Sequence, residues 1–292
     1  MSNWVIGVIG GSGLYEIDGL EKAEQVSVFT PWGDPSDTLI KGQIGNVSFV
    51  FLPRHGKGHR LSPTTVPYRA NIDALKRLGC TDILSISACG SLQEQYVPGE
   101  FVMVDQFIDR TFAREKSFFG PGMVAHVSVA DPVCARLSNL AGDAAKTAGA
   151  TVHRGGTYLA MEGPQFSSRA ESHLYRQWGC DVIGMTNMPE AKLAREAELP
   201  YATIAMVTDY DCWRADEAHV EVTNVLEIMA ANTAKAKAAI AALASALQDR
   251  PRTPSPQGIE TCLDYAMITA PDARDPELLA KLDAVAGRVL QA

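Results

Sequence analysis

Tyr68-Arg-Ala-Asn-Ile-Asp-Ala-Leu-Lys-Arg-Leu78-Gly79-Cys80-Thr81-Asp82-Ile-Leu-Ser-Ile-Ser87-Ala88-Cys89-Gly90-Ser91 contains a helix, its stop, a buried strand and a tight turn in succession. Apolar residues recur at helical spacing up to Leu78, and Gly79 ends the pattern. The apolar run at 82–87 reads as a strand, and Ala88-Cys89-Gly90-Ser91 as the turn that closes it. Outward from this unit the same order repeats. Val5-Ile6-Gly7-Val8-Ile9 ends in Gly10-Gly11-Ser12-Gly13, and Val47 to Leu52 ends in Pro53-Arg54-His55-Gly56. Strands are expected at 101–104, 157–161 and 181–184, and helices at 167–178 and 189–197. The run Tyr201 to Val207 adds a strand that ends in Thr208-Asp209-Tyr210-Asp211-Cys212-Trp213. Alternation of this kind predicts an α/β domain with a largely parallel sheet, continuous from residue 1 to about 248. Residues 222–247 read as one alanine-rich amphipathic helix with its Val, Leu, Ile and Met face on the sheet. Residues 249–292 hold a Pro-rich break and a helix from Pro276 to Leu290, read as an extension packing on the same domain.

The chain has 292 residues, 46% of them hydrophobic, and a formal net charge of −8. That acidity argues against a nucleic-acid surface, which needs clustered Lys and Arg. The N-terminus carries no basic leader, and no apolar stretch approaches the roughly 18–20 residues of a membrane span. A cytoplasmic location is expected. The six cysteines are scattered, without a Cys-x-x-Cys pair, so reduced and mostly buried thiols are expected, with no metal site.

Parallel strands would bring the three turns at 10–13, 54–56 and 87–91 to one sheet edge. There, backbone N–H groups, hydroxyls and the Arg54 guanidinium can converge on a tetrahedral anion. Dinucleotide binding does not fit, because position 16, the third glycine of Gly-x-Gly-x-x-Gly, is Glu16. Asp209 and Asp211 stand at another strand end. A carboxyl group sharing one proton can donate from one oxygen and accept on the other, which matches the N7 and 6-amino edge of adenine; the alternative is a turn satisfying its own backbone. In Glu162-Gly-Pro-Gln-Phe-Ser-Ser-Arg169, Phe166 either stacks on a base or staples the helix that follows, and Ser167 can meet a base's polar edge. Met185 and Thr186 offer a soft face with an amide, and a hydroxyl.

Together with Asp105-Gln-Phe-Ile-Asp-Arg-Thr111, these segments resemble the 5′-methylthioadenosine phosphorylases, the adenine-specific branch of the trimeric purine nucleoside phosphorylases, in order from residue 6 to about 248. The resemblance implies a single domain with a central mixed, largely parallel β-sheet flanked by helices, and a homotrimer. It implies phosphate contacts from Ser12, Arg54, His55, Ser87, Ala88 and Thr186. Met185 would meet the ribose, Phe166 would stack on the base, and Ser167, Asp209, Tyr210 and Asp211 would form the adenine-reading wall. Val222 and His126 would line the methylthio pocket, His126 from a neighbouring subunit. The reaction implied is phosphorolysis of S-methyl-5′-thioadenosine, with Asp209 and His55 as catalytic residues, phosphate as co-substrate, and no metal or organic cofactor. The rival readings are a 6-oxopurine phosphorylase, a hydrolase using water, and a nucleoside-binding module without turnover. The residues that close the methylthio pocket stay open, with Ile268 and Thr269 as candidates.

Overall fold

The strand at the centre of the quoted stretch, β5 (Asp82–Ser91), is the axis of the molecule, and it runs on through the residues read as its closing turn. The computed structural model describes residues 4–11, 14, 16–17, 19–214 and 222–290, with the side chains of 222–225 outside the description. Before β5 come β1 (Val5–Gly10), β2 (Glu21–Val26), β3 (Leu39–Ile44), β4 (Val47–Pro53) and α1 (Tyr68–Arg77). After it come β6 (Phe101–Met103), β7 (Gln106–Asp109), α2 (Ala135–Thr147), β8 (Val152–Arg154), β9 (Thr157–Ala160) and α3 (Arg169–Gln177). The chain continues through β10 (Val182–Gly184), α4 (Asn187–Glu196), β11 (Tyr201–Asp209), α5 (Val222–Leu247), α6 (Pro276–Lys281) and α7 (Gly287–Leu290).

Among the described residues the strands form one eleven-stranded mixed sheet. β1 lies parallel between β4 and β5, with Gly10 beside Pro53 and Ile9 beside Ser85. β11 runs parallel along the other edge of β5, from Ile83 to Gly90. Beyond Ser85 the first edge of β5 loses β1, and β10 takes it up antiparallel at Gly90 and Ser91. The sheet therefore forks along β5 between Ser85 and Gly90. The edge strands β2 and β3 are antiparallel, as is β6 against β11.

Period-2 alternation sends successive side chains to opposite layers. Ile9, Val50, Leu52 and Ile83 join α1, α4 and the C-terminal segment in one core. Ile6, Val8, Phe49, Phe51, Leu84 and Ile86 join α2 and α5 in the other. The buried face of α5 is half alanine: Ala236, Ala239 and Ala244 accompany Ile240, Leu243 and Leu247. Small side chains let α5 lie close to α2 and the sheet, and they share the packing with the Leu and Ile that the sequence reading put on that face.

Three helices stop alike. After α1, α2 and α3 a glycine with positive φ (Gly79, Gly149, Gly179) turns the chain, and the amides of it and its successor bond back into the last turn. At the end of α4 the same position is Glu198, at φ 54. A left-handed non-glycine residue costs on the order of 1 kcal/mol. Here the side chain gains a function: Glu198 accepts from Leu263 N (3.1 Å) and from Arg288 Nε and Nη2 (2.7 and 2.5 Å). The C-terminal segment is thereby fastened under α4, with Leu263, Leu282 and Val285 in its core.

The C-terminal helix expected at 276–290 is two short ones, broken at residues 282–286. Leu282, Val285 and Ala286, within the break, are all buried in the core. Four elements escaped the sequence reading: β3, β7, α2 and β8. Their apolar spacing is diluted by Gly, Lys, Asn and Asp. Among the described residues no helix is long and apolar enough to cross a membrane. Leu282→Ala should lower unfolding free energy by about 2–5 kcal/mol, the usual cost of an emptied Leu site, read as a shifted urea midpoint.

Candidate active site

The fork in β5 leaves backbone groups that no neighbouring strand can pair, and polar side chains gather there. Ile86 O faces the fork, where Arg54 Nη1 donates to it at 3.2 Å. Gly90 faces the same way to pair with β10, so alternation also aims the Ala88 amide into the gap. Ser87 Oγ lies 3.3 Å from Thr186 Oγ1 and 3.4 Å from Tyr158 OH. Thr186 is the N-cap of α4 with no side-chain cap bond, so its hydroxyl is not spent on the helix. Hydroxyls, an amide and a guanidinium edge converge here, a combination suited to a tetrahedral anion.

Arg54 is buried, and Glu190 grips it through Nε (2.8 Å) and Nη2 (3.1 Å). Nη2 also donates to Ser85 Oγ at 2.6 Å. The guanidinium is thus held from below, and of its five donors one Nη1 hydrogen remains for a ligand. His55 follows. Its Nδ1 lies 2.9 Å from Leu61 O, and because a carbonyl only accepts, that nitrogen carries the proton. Burial, then the Arg54 charge, push its pKa down to about 4. His55 is therefore neutral at pH 7, with Nε2 as an acceptor for a hydroxyl, and its ring stacks on His59 at 4.1 Å.

The acids at the end of β11 close the far side of the fork. Asp209 Oδ2 accepts from Thr208 Oγ1 (2.7 Å) and Oδ1 from Asp211 N (2.8 Å). Asp211 has φ 52, and this turned backbone aims its amide back at Asp209. The approach needs Gly90: a Cβ there would lie 2.8 Å from Asp209 Oδ1. The Asp211 carboxyl is buried, and burial raises its pKa above the ordinary range. Its Oδ2 has no hydrogen-bond partner among the described residues. Tyr210 packs edge-on to Trp213 at 6.0 Å, with Arg214 3.7 Å over its ring.

Cys212 Sγ to Ser167 O (3.2 Å) ties this loop to the entry of α3. Ser168 caps α3 in a reciprocal box with Glu171. The residue before the cap is then Ser167, which excludes Phe166 as a hydrophobic staple; Phe166 stays 47% exposed beside the site. Met185 follows β10 next to Gly163, where a Cβ would lie 2.5 Å from its sulfur.

One residue unassigned in the sequence holds these loops together. Arg114, fully buried, donates to Glu162 Oε1 (3.0 Å), Tyr68 OH (3.0 Å), and the carbonyls of Glu162 (2.6 Å), Met185 (2.5 Å) and Met188 (2.7 Å). Burial disfavours the Glu162 charge, but bonds from Thr64, Phe112, Ala113 and Arg114 outweigh it, leaving a pKa of about 2. Tyr158 and Glu190 were missed as well. The available signal was a buried cation: Arg54, if placed in a strand-end core, demands a carboxylate, and Glu190 lies four residues after Thr186. Tyr158 read only as a strand residue.

Ser12 and the Val222 side chain lie outside the described residues. His126 is exposed, its amide donating to Ala266 O beside the bridge of Ala125 to Met267. Among the described residues its side chain makes no hydrogen bond or ring contact with the site.

The sequence profile of the phosphorylase superfamily matches residues 5–245. An S-methyl-5′-thioadenosine phosphorylase of Cereibacter sphaeroides is 63% identical over 98% of this chain and 99% of its own. One of Bradyrhizobium diazoefficiens is 58% identical over the whole of both chains. This chain belongs to the S-methyl-5′-thioadenosine phosphorylase family. The crystal structure of a methylthioadenosine phosphorylase from an Antarctic soil metagenomic library matches with a TM-score of 0.90 at 45% identity, covering 98% of this chain and 99% of that one. A mutant adenosine/methylthioadenosine phosphorylase of Schistosoma mansoni, in complex with methylthioadenosine, matches with a TM-score of 0.83 at 38% identity, over 90% of this chain and 99% of that one. The overall fold is thus shared with these solved structures, and the side chains described above are what this chain sets into it.

Two outcomes follow from the local chemistry. Between pH 6.5 and 4 the unfolded chain protonates His55 while the folded one refuses the proton, so stability falls as pH drops through that window and levels below it. His55→Gln should remove on the order of 2 kcal/mol of that loss, seen as a shallower fall in unfolding free energy from pH 7 to 4.5. Arg114→Met strands the buried Glu162 charge and frees the Met185 loop. It should cost about 3–5 kcal/mol of stability and, in the folded fraction, raise the nucleoside KM more than the phosphate KM, as steady-state kinetics would report.

Proposed function

We propose that this chain converts S-methyl-5′-thioadenosine and phosphate into adenine and 5-methylthioribose 1-phosphate. The observation that carries the reading is a matter of spacing on one strand. The Ser87 and Thr186 hydroxyls and the Asp209 carboxylate over Gly90 stand three residues of β5 apart, roughly 10 Å, the span of a sugar between its base and an attacking anion.

Cleavage of an N-glycosidic bond needs a protonated leaving base, a nucleophile beneath the anomeric carbon, and relief for the cationic sugar between them. Thr208 and Asp211 hold one lone pair on each oxygen of Asp209 and so fix the carboxylate's plane. In the proposed complex one Asp209 oxygen accepts from a 6-amino group and the other shares a proton with N7. Phosphate, met by Ser87, Thr186, the Ala88 amide and the last Nη1 hydrogen of Arg54, supplies the nucleophile and the counter-charge together. For that reason the proposal includes no metal or organic cofactor. Neutral His55 accepts from a sugar hydroxyl or a protonated phosphate oxygen through Nε2. Phe166 stacks on the base, and the Met185 loop meets the ribose. We also propose a homotrimer in which His126 of one subunit, exposed in its own, reaches the methylthio pocket of the next. Purine and methionine salvage in the cytoplasm is the setting that fits these products.

The test is product analysis with methylthioadenosine and methylthioinosine, each with and without phosphate. Turnover should require phosphate and favour the 6-amino substrate. Asp209→Asn should lower kcat/KM for methylthioadenosine by roughly 2–4 kcal/mol of transition-state binding. An unchanged value would remove Asp209 from its role, and turnover in water alone would make the enzyme a hydrolase.

A further inference from the structure

The phosphate hollow has a cation at its floor but no net positive charge. Arg54 and Glu190 are 3% and 2% exposed, and their bonds are bidentate. Glu190 also accepts from Tyr201 OH at 2.9 Å, so both of its oxygens are occupied by the floor of the site. Asn187 extends the same floor, its Nδ2 donating to Tyr201 OH (2.5 Å), Thr203 Oγ1 (3.0 Å) and Ser85 Oγ (3.2 Å). Ser85 in turn accepts from Arg54. This closed network joins β4, β5, α4 and β11 and fixes the guanidinium from three sides. The other buried cation nearby, Arg114, has its own carboxylate in Glu162. His55 is neutral. Among the described residues, what faces the anion is therefore a set of dipoles: two hydroxyls, an amide and one guanidinium hydrogen.

We propose that Glu190 is a positioning residue of the phosphorolysis, which acts on phosphate through Arg54: it turns one Nη1 hydrogen toward the anion and cancels the guanidinium charge. The physical reason lies in what the nucleophile must do. A phosphate bound by an uncompensated cation is stabilised in the ground state and has less charge to offer the developing sugar cation, so tighter phosphate binding would come with slower chemistry. A receptor of fixed dipoles orients the anion and leaves its charge for the anomeric carbon. Glu190 and Thr186 stand four residues apart on the segment that enters α4, which is non-helical at Met188, so one short stretch of chain carries both side chains.

This rests on the fork being the phosphate site, and the experiment separates the two. Phosphate binding is measured by calorimetry and phosphate KM and kcat by steady-state kinetics, for the wild type, Glu190→Gln, and the double variant Arg54→Gln/Glu190→Gln. In Glu190→Gln the freed charge should tighten phosphate binding about threefold or more while kcat falls at least about tenfold, a split that a merely structural residue does not produce. The double variant buries no unpaired charge, so it keeps the test open if the single variant does not fold. It should bind phosphate within about fivefold of the wild type, because the charge it removes was already cancelled. Loss of phosphate affinity by about a hundredfold or more in the double variant would make Arg54 the charged anchor and overturn the proposal. So would Glu190→Gln with kcat and phosphate affinity both unchanged. A wild type that neither binds phosphate nor needs it for turnover would instead overturn the site itself.

Discussion

Everything at the site depends on β5 having two different neighbours on one edge. A strand pairs its backbone continuously or pays for the groups it leaves bare. From Asp82 to Ser85 the partner is β1, and at Gly90 and Ser91 it is β10, running the other way. The residues between, 86–89, sit in the middle of a sheet yet have an open side. One carbonyl there is capped by Arg54, and the Ala88 amide points into the gap. The opening supplies oriented donors where water is largely excluded, which is where dipoles act most strongly on an anion.

Three buried charges around this frame have partners of opposite sign. Arg54 has Glu190, Arg114 has Glu162, and Glu198 has Arg288. Each pair also joins elements distant in sequence, so the ion pairs fix geometry more than they add stability. Arg114 sets the Met185 loop against the Gly163 turn, Glu190 sets Arg54 below the fork, and Glu198 fastens the C-terminal segment beneath α4. An acidic protein can therefore handle an anion without a basic surface. The Asp209 and Asp211 pair follows a related logic: the second acid orders the first by its backbone amide, while its own buried carboxyl is pushed toward the protonated form.

The sequence was most legible where glycine and apolar period coincide. Gly79 and Gly179 end α1 and α3 where the reading put them, and the strands at 47–52, 157–161 and 201–207 stand as read, because their burial on both faces leaves near-continuous apolar runs. Reading failed where a side chain's partner is far away. The turn expected at 88–91 is strand, since β10 and β11 extend the pairing there. The helix expected at 276–290 is interrupted at 282–286, where the chain packs on the core. Glu198 occupies a position that glycine holds in the other helices, and nothing local to it reveals that Arg288 waits 90 residues on.

By itself, the sequence determined the α/β alternation, the strand-end clustering of Arg54, His55, Ser87, Thr186 and Asp209, and the family to which they belong. These follow from period, glycine punctuation and motif, all local in the chain. The tertiary structure alone decided that β5 forks and that Tyr158 reaches Ser87 over Gly184, where a Cβ would meet its hydroxyl. It also decided that Glu190, Ser85 and the Ile86 carbonyl hold the Arg54 guanidinium and leave one Nη1 hydrogen unspent. The reason is that an ion pair or a strand's second neighbour is a relation between residues 10 to 140 apart, and no spacing rule within a segment encodes the burial that makes such a relation obligatory.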